Sequence, residues 1–378
     1  MSSGIIKSQV ISLSLRNFRN YPSVDFEPES DFSIILGPNG VGKTNILEAI
    51  SMLAPGRGLR GSKVSEIESF EGKGYGWSVS ADIKGSCGLS RINTFADGEC
   101  SKRSIEIDDK NTSQAELSRM LSVSWLVPQM GHIFIDSSSA RRKFLDRMVS
   151  NFDPSHIKNI YSYEYHMKER ANLLKNGSYD ETWIRVIERK MSEAGVIIAT
   201  ARVQFGEMVT ETLGVMKYKL PKFSMKIGGM IEEKIYTIPS VQIEDEFCRV
   251  LKENRALDAL SKRTNAGIHR SDLLIYKADG GTRADMCSTG EQKFLLMSVF
   301  LTEIVAQIRH RKKMPVILLD DASAHLDRKS QAVFFEIVKD IGAQTWITST
   351  FIENFDFLKD NAEFYKVEKN KIMIREYE

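Results

Sequence analysis

The strongest chemical signal in the sequence is a short loop whose residue types suit the binding of phosphate. It follows the apolar segment Ser33–Leu36 and precedes apolar residues at helical spacing, as a strand and a helix would flank it. Glycines leave room for backbone N–H groups to curl around phosphate oxygens, while a lysine supplies a charge and a threonine supplies a hydroxyl for Mg²⁺. The loop fits the pattern G-x-x-x-x-G-K-[ST] in full, with Gly37, Pro38, Asn39, Gly40, Val41, Gly42, Lys43 and Thr44. These residues predict a site for the β- and γ-phosphates of a nucleotide together with Mg²⁺.

A second signal is a pair of adjacent carboxylates at the end of an apolar segment. Val316–Leu319 is wholly apolar and is followed directly by Asp320 and Asp321. A phosphate-binding loop needs an acid at the end of a buried strand to hold the metal. We therefore predict that Asp320 serves the metal and that Asp321 acts as the general base for an attacking water. The alternative is a strand that ends in a solvated acidic turn.

The chain between these two motifs is longer than a compact GTPase or a small-molecule kinase would need. Residues 56–112 are rich in glycine and in short alternating segments, which indicates an antiparallel β region. No proline occurs between Pro154 and Pro221, and apolar residues recur there at helical spacing among many charges. We interpret this stretch as two or three long helices inserted between two αβ units.

The segment 287–293 resembles the signature of the ATP-binding-cassette superfamily, a Ser-x-Gly-Gln-like turn at the start of a helix. In that superfamily the signature of one subunit caps the γ-phosphate held by the other. The resemblance therefore implies ATP as the nucleotide and Ser288 and Gly290 as residues that contact it across a dimer. A plain helix-capping box is the alternative. Glu291 stands where the signature usually has glutamine, and we expect it to point away from the phosphate or to pair with Lys293.

Two further segments are similar to parts of the same superfamily. Residues 323–327 resemble its dimer-contacting loop, and Gln129 is a candidate for the glutamine that senses Mg²⁺. For Gln129 a solvated turn residue is an equal alternative. The metal ligands implied by the resemblance are thus Thr44, Asp320 and Gln129.

Several stretches together resemble the RecF family of DNA gap-repair ATPases. The similarity of the segment 15–21 implies that Arg16 and Asn17 contact the nucleotide. In the segment 267–273, Ile268 and Ser271 replace the family's proline and acid, which leaves the role of that loop open. The segments that carry the resemblance are 15–21 (LRNFRNY), 141–147 (RRKFLDR), 267–273 (GIHRSDL) and 344–350 (QTWITST).

The resemblance implies an α/β fold, namely a P-loop ATPase head of the ABC/SMC type with mixed β-sheets and helices and an inserted, mainly helical arm. On this basis the head comprises residues 1–135 plus 255–378, and the arm comprises residues 136–254. It further implies an ATP-dependent homodimer and a weak, DNA-stimulated ATPase in recombinational gap repair. The implied partners are duplex DNA and single-strand/duplex junctions, without sequence specificity, and RecR, with RecO and RecA acting downstream.

Two basic clusters are candidates for contact with DNA. Arg57, Arg60 and Lys63 lie in a glycine-rich loop, which suits contact with phosphates rather than with bases. Arg141 and Arg142 form the second cluster. For each cluster a solvated face or a helix terminus is the alternative interpretation.

Composition narrows the choice of function. Lys+Arg number 52 and Asp+Glu number 50, for a net charge of +2, so the chain is not a uniformly basic nucleic-acid protein. Its four cysteines form no close pair, and no signal peptide or apolar run long enough to span a bilayer is evident, so we expect a cytoplasmic protein with no membrane partner. A transporter's nucleotide-binding subunit is the runner-up. A nuclease of the related overcoming-lysogenisation type lacks room for its catalytic domain.

Overall fold

The computed structural model describes residues 4–69, 71–85, 88–99, 102–175, 177, 179–321, 328–368 and 371–375. The strands are β1 Ile6–Lys7, β2 Gln9–Phe18, β3 Tyr21–Phe26, β4 Phe32–Leu36, β5 Trp77–Gly85, β6 Gly88–Ala96, β7 Ser104–Ile107, β8 Lys110–Asn111, β9 Val123–Leu126, β10 Phe223–Gly228, β11 Asp272–Lys277, β12 Lys313–Met314, β13 Val316–Asp320, β14 Thr345–Ser349, β15 Ala362–Glu368 and β16 Lys371–Arg375. The helices are α1 Lys43–Ser51, α2 Gln114–Met120, α3 Ser138–Ser150, α4 His156–Lys175, α5 Glu181–Val215, α6 Ser240–Glu253, α7 Arg255–Ser261, α8 Thr289–Ala306 and α9 Arg328–Ile341.

Contacts along the chain divide it into two compact units. The first unit contains residues 1–131 and 303–378, and the second contains residues 132–302. The predicted arm, residues 136–254, lies within the second unit, but residues 255–302 also group there rather than with the predicted head. The reason is local packing, because β11 pairs with β10 and α7 packs against α4.

The first unit contains a mixed sheet that gathers the ends of several parallel strands. Its order is β16-β15-β4-β14-β13-β9, and every neighbouring pair is parallel except β15 with β16. Strands β4, β13 and β14 are buried along their whole length, and the continuous apolar run of β13 up to Asp320 is typical of such a strand. The carboxyl ends of β4, β14, β13 and β9 therefore meet at one edge of the sheet, where ligands bind in open α/β sheets.

A second, antiparallel sheet completes the first unit. Its order is β3-β2-β5-β6-β7-β8, and the antiparallel strands β5 to β8 lie within the β region predicted over residues 56–112. Helix α1 packs against β2 of this sheet and against β13 and β14 of the mixed sheet. Its apolar residues Ile46, Leu47 and Ile50 are fully buried in the core between the two sheets. The helix that follows the phosphate-binding loop is therefore held from both sides.

The second unit is mainly helical, as predicted, with one small sheet. Helix α5 has 35 residues and begins where the side chain of Asp180 accepts hydrogen bonds from the N–H groups of Thr182 and Trp183. Between α5 and α6, β10 is the only strand among the described residues. Helices α6 and α7 follow one another directly and are separated at Asn254. None of the described helices is both long enough and apolar enough to cross a membrane.

A buried ionic network joins the helices of the second unit. The guanidinium of Arg170, which is fully buried, donates to Glu188 at 3.0 Å, to Asp258 at 2.7 Å and to the carbonyl of Leu251 at 2.6 Å. Arg255 donates to both carboxylate oxygens of Glu188, at 2.9 and 2.6 Å. Helices α4, α5 and α7 are thus tied together by groups that have lost their contact with water.

We expect Arg170→Met to lower the free energy of unfolding of the protein by about 3–5 kcal/mol, because the change leaves the buried carboxylate of Asp258 without its cation. The measurement is urea denaturation followed by the helical circular-dichroism signal. The matched control is Arg185→Met, whose exposed pair with Glu181 on the surface of α5 should matter little. Equal effects of the two substitutions would contradict the stabilising role of the network.

Candidate nucleotide site

The phosphate-binding loop has the backbone that its glycines predict. It runs from the end of β4 to the start of α1, and Gly40 and Gly42 have positive φ angles of 84° and 105°. A Cβ atom at Gly42 would lie 2.3 Å from the Nδ2 atom of Asn20, so this position requires glycine for space as well as for conformation. The ammonium group of Lys43 turns back over the loop and donates to the carbonyls of Gly37 at 2.7 Å and Pro38 at 3.0 Å.

A tight turn between β2 and β3 holds this loop from one side. Asn20 donates through Nδ2 to the carbonyl of Val41 at 3.0 Å and accepts from Asn45 of α1 at 2.6 Å. The hydroxyl of Tyr21 donates to the carbonyl of Gly42 at 3.2 Å. Asn20 and Tyr21 are thus the residues of this segment that contact the loop, although the sequence pointed to Arg16 and Asn17.

Arg16 and Asn17 lie within β2, and their described hydrogen bonds go elsewhere. Arg16 forms two hydrogen bonds with the carboxylate of Asp25 on β3, at 2.8 and 3.0 Å. Asn17 donates to the carbonyls of Gly72 and Gly76 and so anchors the glycine-rich segment. The predicted contact of these two residues with a nucleotide stays a prediction.

The carboxylate of Asp320 lies at the centre of the site. Its Oδ1 atom accepts one hydrogen bond from the hydroxyl of Thr44 at 2.8 Å and another from the hydroxyl of Thr348 at 2.7 Å. Asp320 is 5% exposed, and Thr348 is fully buried at the end of β14. Two of the three predicted metal ligands, Thr44 and Asp320, are therefore in direct contact, and the structure adds Thr348 as a residue that orients Asp320.

Asp321 occupies a constrained position beside this pair. Its φ angle of 43° lies in the left-handed region, which is uncommon for residues other than glycine, and its N–H donates to the hydroxyl of Thr348 at 3.0 Å. Burial raises the pKa of Asp321, and the negative charge of Asp320 raises it further, while the charge of Lys43 opposes this. Burial also lowers the pKa of Lys43, against the attraction of both carboxylates. An acid whose pKa is raised toward neutrality is suited to accept a proton.

The donor set fits a nucleotide with Mg²⁺. Backbone N–H groups, a helix N-terminus and a buried lysine favour phosphate oxygens, while a hydroxyl and one carboxylate supply the hard oxygen ligands that Mg²⁺ prefers. Among the described residues no group of three or more His, Cys, Asp or Glu side chains could hold a metal by itself. A metal at Thr44 and Asp320 would thus need oxygens from the phosphates and from water, which is the usual arrangement for Mg²⁺.

A polar cavity of about 590 Å³ opens beside Asn20 and Asn45. Its volume is in the range of small-molecule sites. Arg60, on its rim, donates to Asn45 at 2.7 Å and to the buried carboxylate of Glu48 at 2.9 Å. The complete lining is Arg19, Asn20, Asn45, Arg60, Ser65, Glu66, Glu68, Ser69, Glu71 and Lys73.

Gln129 follows the strand next to the acids. It is exposed in a short turn, Pro128–His132, just after β9, which pairs with β13 so that Leu126 lies opposite Leu319. Gln129 thus lies just beyond the end of β9, the strand that neighbours β13 and its terminal Asp320, where a metal-sensing glutamine would need to be. Its role stays a prediction.

The predicted signature begins helix α8 in the second unit. The N–H and the hydroxyl of Ser288 both donate to the carboxylate of Glu291, at 3.0 and 2.9 Å, in a capping arrangement. Glu291 also accepts from Lys277 of β11 at 2.8 Å, so the expected pairing with Lys293 is wrong. The bond with Lys277 lowers the pKa of Glu291 to about 2, with further help from Ser288. Gly290 lies in the first turn, and residues 323–327 lie outside the described residues.

The basic candidates for DNA contact divide into two groups. The guanidinium of Arg141 forms two 2.7 Å hydrogen bonds with Asp272, and Arg142 donates to the carbonyl of Ser271 at 2.7 Å. Like Arg60, these two arginines form hydrogen bonds within the protein. Arg57 and Lys63 are exposed, and no carboxylate in the described part of the chain pairs with either side chain.

Comparison with known proteins agrees with this geometry. The family described as "RecF/RecN/SMC N terminal domain" matches residues 9–373. The DNA replication and repair protein RecF of Rickettsia conorii (strain ATCC VR-613 / Malish 7) is 35% identical over 94% of this chain and 98% of its own length. The RecF protein of Rickettsia massiliae (strain Mtu5) is 36% identical over the same shares of the two chains.

Solved structures show the same fold. The recombination mediator protein RecF-ATPrS superposes with a TM-score of 0.87 at 22% identity, over 99% of this chain and 100% of that chain. The Smc head domain of Pyrococcus furiosus superposes with a TM-score of 0.53 at 15% identity, over 97% of this chain and 96% of that chain. The fold and the site thus define a P-loop ATPase head of the SMC type, with mixed β-sheets and helices. Within that class, the chain belongs to the RecF family.

Proposed function

We propose that this protein is an ATP-dependent DNA-binding protein of recombinational gap repair and replication restart. The observation that carries the proposal is the contact of Asp320 with Thr44 and Thr348 beside the phosphate-binding loop. Its relatives are named DNA replication and repair proteins, and structural neighbours are described as recombination mediators with ATP in the RecFOR pathway. Family membership over nearly the whole chain supports the same assignment.

Each residue of the site has a proposed role in binding ATP or in its slow hydrolysis. The loop 37–44 holds the phosphates, and Lys43 balances their charge once it leaves the carbonyls that it contacts now. Thr44 and Asp320 would hold Mg²⁺, with Gln129 near it, and a bound Mg²⁺ neutralises charge on the β- and γ-phosphates. Asp321 accepts the proton of the attacking water, and Thr348 keeps both acids in position. The cavity at Asn20 and Asn45 offers space for the nucleoside.

The signature completes this site in a dimer. We propose that Ser288 and Gly290 of one copy contact the γ-phosphate held by the other copy. The start of α8 supports this role, because the N-terminus of a helix attracts an anion. The N–H and the hydroxyl of Ser288 donate to Glu291 in this structure, so a phosphate would take the place of that carboxylate. Glu291 is neutralised in part by Lys277, which reduces its repulsion of a phosphate.

The proposed partner is duplex DNA, including junctions with single strands, bound through phosphates and without sequence specificity. Arg57 and Lys63 are exposed and suited to that contact. RecR is the proposed protein partner, with RecO and RecA acting after it, and a cytoplasmic location follows from DNA as the partner. Stimulation of the ATPase by DNA belongs to the same proposal.

Lys43→Ala should abolish ATP binding, because no other group of the loop supplies its charge. Equilibrium binding of a fluorescent ATP analogue measures the loss.

Asp321→Asn should bind ATP but lower kcat by about 10²–10⁴, the usual contribution of a general base. Release of phosphate measures kcat, and binding of the fluorescent ATP analogue shows that the site still holds ATP. The exposed Asp279→Asn is the control for loss of a carboxylate. Hydrolysis by Asp321→Asn at the wild-type rate would rule out its role as the base.

Thr348→Val keeps the shape of the side chain but removes the hydroxyl that binds Asp320 and Asp321. We expect kcat to fall by about 10–100-fold and the Mg²⁺ requirement to rise, as when a residue that orients a metal ligand is lost. Thr348→Ser retains the hydroxyl and should rescue both values, which a merely structural role in β14 would not predict. Equal kcat values and equal Mg²⁺ titrations for the valine and serine variants would contradict this role of Thr348.

Ser288→Arg should bind ATP as a monomer that cannot dimerise, because the new side chain blocks the proposed contact with the phosphate of the other copy. Sedimentation velocity with and without ATP measures the state of association, and Asp321→Asn as background prevents turnover. Ser240→Arg adds the same side chain at an exposed position of α6 and should dimerise normally. ATP-dependent dimerisation of the Ser288→Arg protein would disprove the composite site.

A further inference from the structure

The second unit carries a row of lysines that none of the contacts described above explains. Lys217, Lys219, Lys222 and Lys226 are all exposed. The segment 217–226 contains these four lysines and no acidic residue. No carboxylate in the described ranges of the chain pairs with any of them, and we call this set the lysine row.

Strand β10 carries Lys226 and begins directly after Lys222, and it has one buried and one exposed face. Phe223 is buried, and a Cβ atom at Gly206 of α5 would lie 3.4 Å from Ile227 and 4.0 Å from Met225. Because successive side chains of a strand alternate between its faces, Lys222 and Lys226 share the opposite, exposed face. Four residues of strand separate these two lysines by about 13 Å.

The backbone beneath the row is held in place. Strand β10 pairs with β11 from Phe223 opposite Lys277 to Gly228 opposite Asp272. Just before the strand, the carbonyl of Lys222 accepts from the N–H of Ala278 at 3.0 Å, and the carbonyl of Pro221 accepts from the hydroxyl of Ser298 at 2.7 Å. The backbone at Lys222 and Lys226 is therefore held in place, although each lysine side chain is itself flexible.

The other cations of this small sheet and its surroundings behave differently. Lys277 on β11 pairs with Glu291, and Arg141 pairs with Asp272 at the far end of the same strand. Arg202 is buried between Asp146 and Glu232. These three cations thus have carboxylate partners, whereas the lysine row has none among the described residues.

Unpaired, exposed lysines on a strand and in the segment just before it match one kind of partner well. Lysine interacts with phosphate as a point charge. Contact with phosphate requires neither the planar guanidinium with which arginine binds base edges nor a shaped pocket. The exposed face of β10 carries Ser224 between Lys222 and Lys226 and no large apolar side chain, which argues against insertion into a membrane surface.

We propose that the lysine row is a contact surface for the phosphate backbone of duplex DNA. The row belongs to the second unit, whereas the glycine-rich loop that carries Arg57 and Lys63 belongs to the first. The inference rests on the proposed DNA-binding function and adds to it a further set of contact residues. Each lysine that contacts a phosphate releases a counterion, so the row contributes to the salt dependence of binding.

The test is a variant in which all four lysines of the row become glutamine. The control changes the same net charge elsewhere in the second unit, with the exposed lysines Lys158, Lys168, Lys190 and Lys252 replaced by glutamine. Fluorescence anisotropy with a labelled duplex and ATP, over a series of salt concentrations, gives the affinity and its salt slope. We expect the row variant to lose about 0.9 in slope for each phosphate contact and to bind at least about tenfold more weakly near 0.1 M salt. The control variant should bind as the wild type, and both variants should bind ATP normally.

Several outcomes would overturn the inference. A row variant that binds duplex like the wild type would disprove it, and unchanged DNA binding with new aggregation would assign the lysines to protection of the exposed strand edge. Equal losses in the two variants would show only an effect of net charge. Loss of binding to anionic phosphatidylserine vesicles without loss of DNA binding would assign the row to membranes. A wild-type protein that binds no duplex at all would overturn the proposed function itself.

A second measurement does not depend on variants. Lysine acetylation of the wild-type protein, read by mass spectrometry with and without duplex DNA, should show protection of Lys222 and Lys226. The exposed Lys168 and Lys190 should acetylate equally in both conditions. Protection confined to the glycine-rich loop, with none at the lysine row, would contradict the proposal.

Discussion

One buried oxygen atom, Oδ1 of Asp320, determines much of the geometry of the first unit. It accepts hydrogen bonds from Thr44 at the start of α1 and from Thr348 at the end of β14, and Asp320 itself ends β13. Three elements are thus joined at one point where water has little access. A buried acceptor that loses a partner costs about 1–3 kcal/mol, so this arrangement disfavours displacement of any of the three. The same oxygen lies where a metal would be held. The hydrogen bonds that stabilise this edge of the sheet therefore also position the metal ligands.

The sequence predicts those parts of the site that consist of contiguous sequence motifs. The fold class is confirmed, and the phosphate-binding loop and the paired acids lie where continuous apolar strands place them. Asn20 and Thr348 escaped prediction because their partners are remote in sequence. Arg16 and Asn17 were favoured by a family resemblance, yet β2 continues to Phe18, so both lie within a strand rather than in the turn. Glu291 and Lys293 are two positions apart on a helix and do not face one another, which explains why Glu291 pairs with Lys277 instead.

The second unit shows a different limit of prediction. Arg170, Arg202 and Arg255 appear in the sequence as ordinary charges on amphipathic helices, which usually face water. In the structure all three are buried, because their carboxylate partners come from other elements of the same unit. Helical spacing alone does not reveal such pairs. The unit also extends to residue 302, since the pairing of β11 with β10 joins a segment that sequence places in the head.

These buried pairs change what the overall charge balance means. With 52 basic and 50 acidic residues, the sequence suggests no electrostatic preference for DNA. However, interactions between exposed charges decay over about 10 Å at moderate salt, so a partner senses only the nearby, uncompensated ones. Many arginines here are neutralised internally, whereas the lysines at 217, 219, 222 and 226 are exposed together with no acid among them. A chain that is neutral as a whole can therefore present a positive surface, and the distribution of its ion pairs decides where that surface lies.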